Sequence, residues 1–117
     1  MSQNLYPRAT EYRVKSGSRA TLEATIQDSA GTAKSLANTV TYATGRWKVW
    51  KPDGTLVIDG AITYSDRVNG KITYALSATD TAIANAGNWE GEVELLNSAG
   101  VMSEQSKSFN FTIEESY

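Results

Sequence analysis

The stretch NAGNWEGEVELL, residues 85–96, sets Glu90, Glu92 and Glu94 at every second position, with Trp89, Gly91, Val93 and Leu95 between them. Successive side chains of a β-strand point to opposite faces, and residues two apart share a face at a rise of about 6.6 Å. As a strand, the stretch has one apolar face suited to a core and one carboxylate face suited to water. The neighbouring sequence supplies a reason for the carboxylates. If residues 88–96 pair antiparallel with 46–51, outward Arg46 and Lys48 face the glutamates, and cross-strand opposite charges stabilise by about 0.2–1 kcal/mol per pair.

The same period of two runs through most of the chain. Ala20, Leu22, Ala24 and Ile26 alternate with polar residues, as do Trp47 and Val49, then Ile72, Tyr74 and Leu76, and near the end Phe109, Phe111 and Ile113. Half-buried strands of antiparallel sheets read this way. Turn chemistry separates the runs. Ser16-Gly17-Ser18 follows a first strand carrying Tyr12 and Val14. Lys51-Pro52-Asp53-Gly54-Thr55 predicts that 46–51 folds back onto 55–59, Asn69-Gly70 predicts a two-residue hairpin joining 61–67 with 71–76, and Asn97-Ser98-Ala99-Gly100 closes the last hairpin. Short strands at this spacing predict an all-β protein, an immunoglobulin-like antiparallel β-sandwich of about seven strands.

Two segments depart from the period. Ala78–Ala86 predicts one short helical turn crossing between the sheets, capped by Thr79 or Asp80 and ended by Gly87. Ser29–Ala43 is polar and small apart from Leu36, Val40 and Tyr42; it is expected to hold a short edge strand, with a bulge near Gly45 if that strand continues into Trp47 and Val49. At 117 residues one core is expected, giving a single domain over residues 11–117. Residues 1–10 are polar, and Pro7 argues against a central strand, so they are expected to form a flexible N-terminal arm; the sharper alternative is an arm that reaches a neighbouring subunit.

The chain has no Cys and no His, which removes thiolates, disulfides, imidazole bases and Cys/His metal sites. No cofactor or metal is expected, and no catalytic residue. Its net charge of −2 comes from intermixed acids and bases without a basic run, so nucleic acid is not an expected partner. MSQNLYPRATEY lacks the apolar core of an export signal and no apolar run reaches the length of a membrane span, so synthesis in the cytoplasm and no membrane are expected. The three glutamates fit no catalytic pattern, because a glycosidase pair must flank a cleft and calcium needs six to eight converging oxygens. A carboxylate enzyme would require hydrolysis that Glu92→Gln abolishes. Trp47 and Trp89 read as core. Trp50 shares a face with Arg46 and Lys48; it is either buried under the 55–59 arm or an exposed aromatic that docks a partner or stacks on a sugar, with Tyr64 as a second platform in a carbohydrate-binding module.

KVWKPDGTLVIDGAI, NGKITYALSATDTAIANAGNWEGEVELLNSAG and SKSFNFTI, in this order, resemble the immunoglobulin-like N-terminal domain of phage baseplate upper proteins. The shared pattern is a strand ending in Pro-Asp-Gly, an Asn-Gly-Lys hairpin, a short helical turn, a Gly-aromatic strand with a charged outward face, and a closing strand with alternate Phe. The resemblance covers about residues 20–113 and implies a non-enzymatic structural component of a phage or prophage particle, located in the virion. In the family further segments follow this domain, whereas this sequence stops at Ile113-Glu114-Glu115-Ser116-Tyr117. A baseplate or tail adaptor or attachment domain, a capsid decoration protein and an excised domain all remain open. The implied partners are other virion proteins, with a trimeric or hexameric homo-oligomer matching tail symmetry; surface polysaccharide is the partner only of the carbohydrate-binding alternative. Leu36, Val40, Tyr42 and Trp50, apolar side chains without an assigned core partner, are the expected subunit or partner contacts.

Overall fold

In a computed structural model, which describes residues 4–5, 11–28, 30–106 and 108–115, the chain forms two facing sheets. The strands are β1 (Asn4–Leu5), β2 (Glu11–Lys15), β3 (Thr21–Thr25), β4 (Thr44–Trp50), β5 (Leu56–Ala61), β6 (Thr63–Asp66), β7 (Lys71–Ala75), β8 (Gly87–Leu96), β9 (Met102–Ser106) and β10 (Phe109–Glu114). The larger sheet grows from β8. One edge of β8 pairs antiparallel with β4, which pairs with β5; its other edge pairs first with β10 and then with β9. The smaller sheet is β3-β7-β6.

This is the immunoglobulin-like sandwich the alternation predicts, with more strands than the seven expected. Two of its pairings are parallel: β2 lies along β10 and β1 along β9. Both arise because the first part of the chain joins the sheet beside the last and runs in the same direction. Of the expected N-terminal arm, residues 1–3 and 6–10 lie outside the described residues, while Asn4 and Leu5 pair with Gln105 and Ser106.

The inward set of each strand meets at Trp47, which is fully buried. Tyr12 stands edge-on to it with ring centroids 5.0 Å apart, Phe109 tilts against it at the same separation, and Tyr74 stacks on it from the opposite sheet at 5.9 Å. The Tyr12 hydroxyl donates to the Glu23 carbonyl across the sandwich (3.0 Å), and burial pushes its pKa up to about 12. Gly91 explains itself here. A Cβ at that position would lie 2.5 Å from the Phe109 ring, so the strand needs a residue without one.

Local chemistry sets the turns. In the β4–β5 hairpin the Gly54 N–H donates to the Lys51 carbonyl (2.9 Å), Asp53 accepts from the Thr55 N–H (2.9 Å), and Gly54 takes a φ of 89°. A bulge between Val49 and Trp50 follows, pairing Trp50 with Leu56. The β6–β7 connection departs from the two-residue hairpin expected of Asn69-Gly70. Asp66 instead accepts from the Asn69 N–H (3.3 Å) and side-chain amide (2.8 Å), and Gly70 alone of that pair has positive φ. The helical turn is a 3-10 helix at Ile83–Asn85. The turn before it is held by Ser77 and Asp80, which exchange side-chain to backbone hydrogen bonds at 3.0 and 3.1 Å, while the 3-10 helix itself starts from Ala82 without a side-chain cap, so neither Thr79 nor Asp80 caps it.

The 29–43 segment gives the main correction. Among the described residues it contains no edge strand; Asn38–Tyr42 is a turn in which the Asn38 carboxamide accepts from the Val40 and Thr41 N–H groups, and no bulge forms at Gly45. Leu36 (0% exposed) and Tyr42 (7%) are core residues, not surface contacts. The physical reason is position: this connection crosses the end of the sandwich between β3 and β4, and its apolar side chains close the gap between the sheets. Arg67 secures it by donating to the Leu36 and Tyr42 carbonyls (3.1 and 2.8 Å). Leu36→Ala is expected to lower stability by about 2–5 kcal/mol and Val40→Ala, at 63% exposure, by less than about 0.5 kcal/mol, as read from urea unfolding midpoints.

Candidate functional site

Alternation leaves the other face of the larger sheet to solvent. Across it lie Glu11 and Arg13 of β2, Asn110 and Thr112 of β10, the even-numbered residues Asn88 to Glu94 of β8, and Arg46, Lys48 and Trp50 of β4. The expected β4–β8 pairing is present, with Lys48 opposite Glu92 and Arg46 opposite Glu94. The ion pairs differ in detail from a simple rung-by-rung arrangement. Lys48 reaches diagonally to Glu94 (3.1 Å), whereas Arg46 turns the other way to Asp59 of β5 (2.6 Å) and also donates to the Asp59 carbonyl.

Glu92 accepts a hydrogen bond from Gln105 on β9. Partial burial pushes its pKa up, and Glu94 and Glu90 on either side add repulsion. The three carboxylates thus send their oxygens in different directions along an open sheet. Among the described residues no cleft has them on opposite walls.

Two hollows open on this face, and Trp50 stands between them. The larger, of 520 Å³, is bordered by Glu11, Arg13, Trp50, Pro52, Asn88 and Glu90, with Trp89, Asn110 and Thr112 completing its wall. The smaller, of 250 Å³, lies on the β5 side of the ring, between Lys48, Glu94 and Leu56. The bulge after Val49 creates this arrangement, because it brings Leu56, half exposed, beside Trp50 on the outer face. Trp50 is therefore half-buried beside Leu56 and borders both hollows, so the 55–59 arm covers it only in part.

Trp89 packs against the core but is not enclosed by it. Its Nε1 donates to the Asn85 carbonyl (2.7 Å) and Lys51 lies 5.2 Å from its ring, so it also forms the end of the larger hollow. Tyr64 is unavailable as a sugar platform. Arg67 covers its ring at 3.9 Å, and its hydroxyl donates to the Thr44 carbonyl (3.0 Å).

Of the four residues expected to make contacts, Val40 and Trp50 reach the surface while Leu36 and Tyr42 do not. They lie at opposite ends of β4, roughly 20 Å apart along the strand direction. Val40 belongs to a second surface feature, which sequence reasoning missed. At that end of the sandwich Val68, Val101 and Met102 are also exposed, at 66%, 61% and 48%. The Ser98 N–H donates to the Val40 carbonyl (2.9 Å) and the Leu36 N–H to the Arg67 carbonyl (2.7 Å), which joins the three loops carrying these residues. Glu11, Arg13, Asn88 and Asn110 were missed as well. Their outward parity was legible, but the parallel β2–β10 pairing that brings them together was not.

Three comparisons place the chain among known proteins. The sequence profile of the BppU N-terminal domain family matches residues 4–117. No curated protein matches the chain. Among solved structures, CopC from Methylosinus trichosporium OB3b is similar over 98% of this chain and 96% of its own, with 13% identity and a TM-score of 0.50. Salmonella alpha-2-macroglobulin reacted with methylamine is similar over all of this chain, which spans only 6% of it, with 18% identity and a TM-score of 0.53. At such identities these two structures speak for the fold alone.

The raised Glu92 pKa has a sign that can be checked. The folded chain holds this proton more tightly than the unfolded one, so the group's contribution to stability falls as pH rises through the carboxylate range, and the penalty is complete above it. Glu92→Gln, which keeps an oxygen to accept from Gln105, is expected to raise the urea midpoint at neutral pH and to leave it nearly unchanged at about pH 4.

Proposed function

The chain belongs to the BppU N-terminal domain family, the N-terminal domains of phage baseplate upper proteins, and from this membership we propose that it is a non-enzymatic adaptor or attachment module of a phage or prophage particle. The profile match over residues 4–117 carries the reading. Two features of the fold support it. On the open sheet Lys48, Arg46 and Glu92 pair separately with Glu94, Asp59 and Gln105 instead of converging as an acid–base constellation would. The loop end presents three exposed apolar residues, Val40, Val68 and Val101, on three connections held together by backbone hydrogen bonds, with exposed Met102 at the start of β9, a surface suited to burial against another protein.

The mechanism is geometric. A sandwich with a rigid aromatic core fixes its loops relative to one another, and a particle assembles by covering them. In this reading Val40, with Val68 and Val101, meets a neighbouring virion protein or a second copy. The working location is the virion, after synthesis in the host cytoplasm, and the copies assemble as a trimer or hexamer. Nucleic acid is not a partner in this reading, since acids and bases intermix along the chain without a basic run. Among the described residues no helix is long and apolar enough to cross a membrane.

Light scattering on the purified chain over a wide concentration range is expected to give the mass of a trimer or hexamer, and Val40→Asp combined with Val101→Asp to return it to the monomer; a monomer at every concentration would remove the homo-oligomeric part of the reading. Immunogold electron microscopy of purified particles is expected to place the chain at the tail end. Label on the head would favour a capsid decoration protein instead, and its absence from particles would overturn the virion assignment.

A further inference from the structure

The larger hollow on the outer sheet face has the chemistry of a ligand site. Its volume of 520 Å³ falls within the roughly 300–1,000 Å³ typical of small-molecule sites. One wall includes the half-buried Trp50 indole, an apolar ring on a largely polar sheet face. The floor and opposite wall carry Glu11, Arg13, Asn88, Glu90 and Asn110. The acceptors and donors are not consumed by the fold. Thr112 donates to the Asn88 oxygen (2.8 Å), which leaves the Asn88 amide N–H groups, and among the described residues the side chains of Asn110 and Glu90 make no hydrogen bond. Arg13 contacts Glu11 through one nitrogen (3.0 Å) and lies 3.8 Å from Glu114, so it holds Glu11 at the rim.

We propose that this hollow binds a short neutral oligosaccharide, with Trp50 stacking on the apolar face of a pyranose ring and Glu90, Asn88 and Asn110 receiving and donating hydrogen bonds at its hydroxyls. Carboxylates and carboxamides offer paired atoms at the spacing of vicinal hydroxyls, and an exposed aromatic plane matches the C–H face that such a ring presents. Charge decides between sugar classes. Two carboxylates and one guanidinium leave the site net negative, which disfavours uronic acids and phosphate-bearing chains. The hollow is open along the sheet, and the second hollow continues beyond Trp50 past Lys48 and Glu94, so the site suits a chain that extends past the ring rather than a lone monosaccharide. A polypeptide is the other candidate of the right size, since aromatic grooves take proline-rich segments. Six of the nine lining side chains are polar, against Trp50, Pro52 and Trp89, and among the described residues Asn110 and Glu90 make no hydrogen bond, which favours the sugar.

This inference does not rest on the particle assignment, and its test is independent of it. Calorimetric titration of the full chain with chitotetraose, cellotetraose and maltotetraose, followed in parallel by tryptophan emission, is expected to give saturable binding for at least one. Tetragalacturonate is expected to bind more weakly than that ligand. Trp50→Ala is expected to weaken binding by about tenfold or more and Trp50→Phe by less. Asn110→Ala, whose side chain is exposed and outside the core, is expected to weaken binding by about fivefold without moving the unfolding midpoint. The proposal is overturned if none of the neutral tetrasaccharides binds, if tetragalacturonate binds best, if decaproline binds in their place, or if binding is indifferent to both Trp50→Ala and Asn110→Ala.

Discussion

Val93 of β8 lies opposite Trp47 of β4, and both point into the core. Because the side-chain period of a strand is two, this one rung commits every other residue of both strands: Val49, Gly91 and Leu95 go inward, and Lys48, Trp50, Glu92 and Glu94 go outward. A slip by one residue would turn Trp47 into water and three glutamates into the core. The remainder of the larger sheet is added to this pair, β5 beyond β4 and the β9–β10 line beyond β8, so the same choice propagates across it. Trp47 also couples the sheets, because Tyr74 of β7 stacks on it from the other side.

One consequence is that the two surfaces discussed above are products of the core. The outer hollow exists because the strands that bury Trp47, Tyr12 and Phe111 must place Trp50, Arg13 and Asn110 side by side on the reverse face. The apolar loop end exists because a connection that seals the sandwich with Leu36 and Tyr42 carries Val40 out at its turn. Arg67 bonds the Leu36 and Tyr42 carbonyls of that connection from the β6–β7 turn, which holds the two loops together. Rigid placement of such surfaces is what an assembly module needs, since contacts on a stiff scaffold cost less ordering entropy when a partner covers them.

The glutamates show how far charge follows the sheet and where it departs. Opposite register brings Lys48 and Arg46 to Glu92 and Glu94, but long side chains choose among diagonal neighbours and the strand on their other side. Arg46 finds Asp59, whose backbone carbonyl it can also bond; Lys48 takes Glu94; and Glu92, left without a cation, turns to Gln105. Its neighbours Glu90 and Glu94 then raise its proton affinity.

Alternation and turn residues are local properties, and they determined the strands, the faces of Trp47, Val93, Phe109 and Phe111, the β4–β5 hairpin and the immunoglobulin-like class from the sequence by itself; the family resemblance was carried by these same fold-forming residues. The tertiary structure alone decided what depends on chain segments meeting from a distance. Leu36 and Tyr42 sit in a segment with no period to read, and their burial follows from where the connection crosses the sandwich. Asp80 holds the preceding turn instead of capping the helix, and it also accepts from the Tyr74 hydroxyl (2.6 Å), a contact that exists only once β7 and the turn are packed. The exposure of Trp50 depends on a one-residue bulge, and the hollow beside it on a parallel pairing between residues about a hundred positions apart, Tyr12 with Phe111. Local sequence encodes which way a side chain points, while its neighbours are set by loop closure and packing across the whole chain.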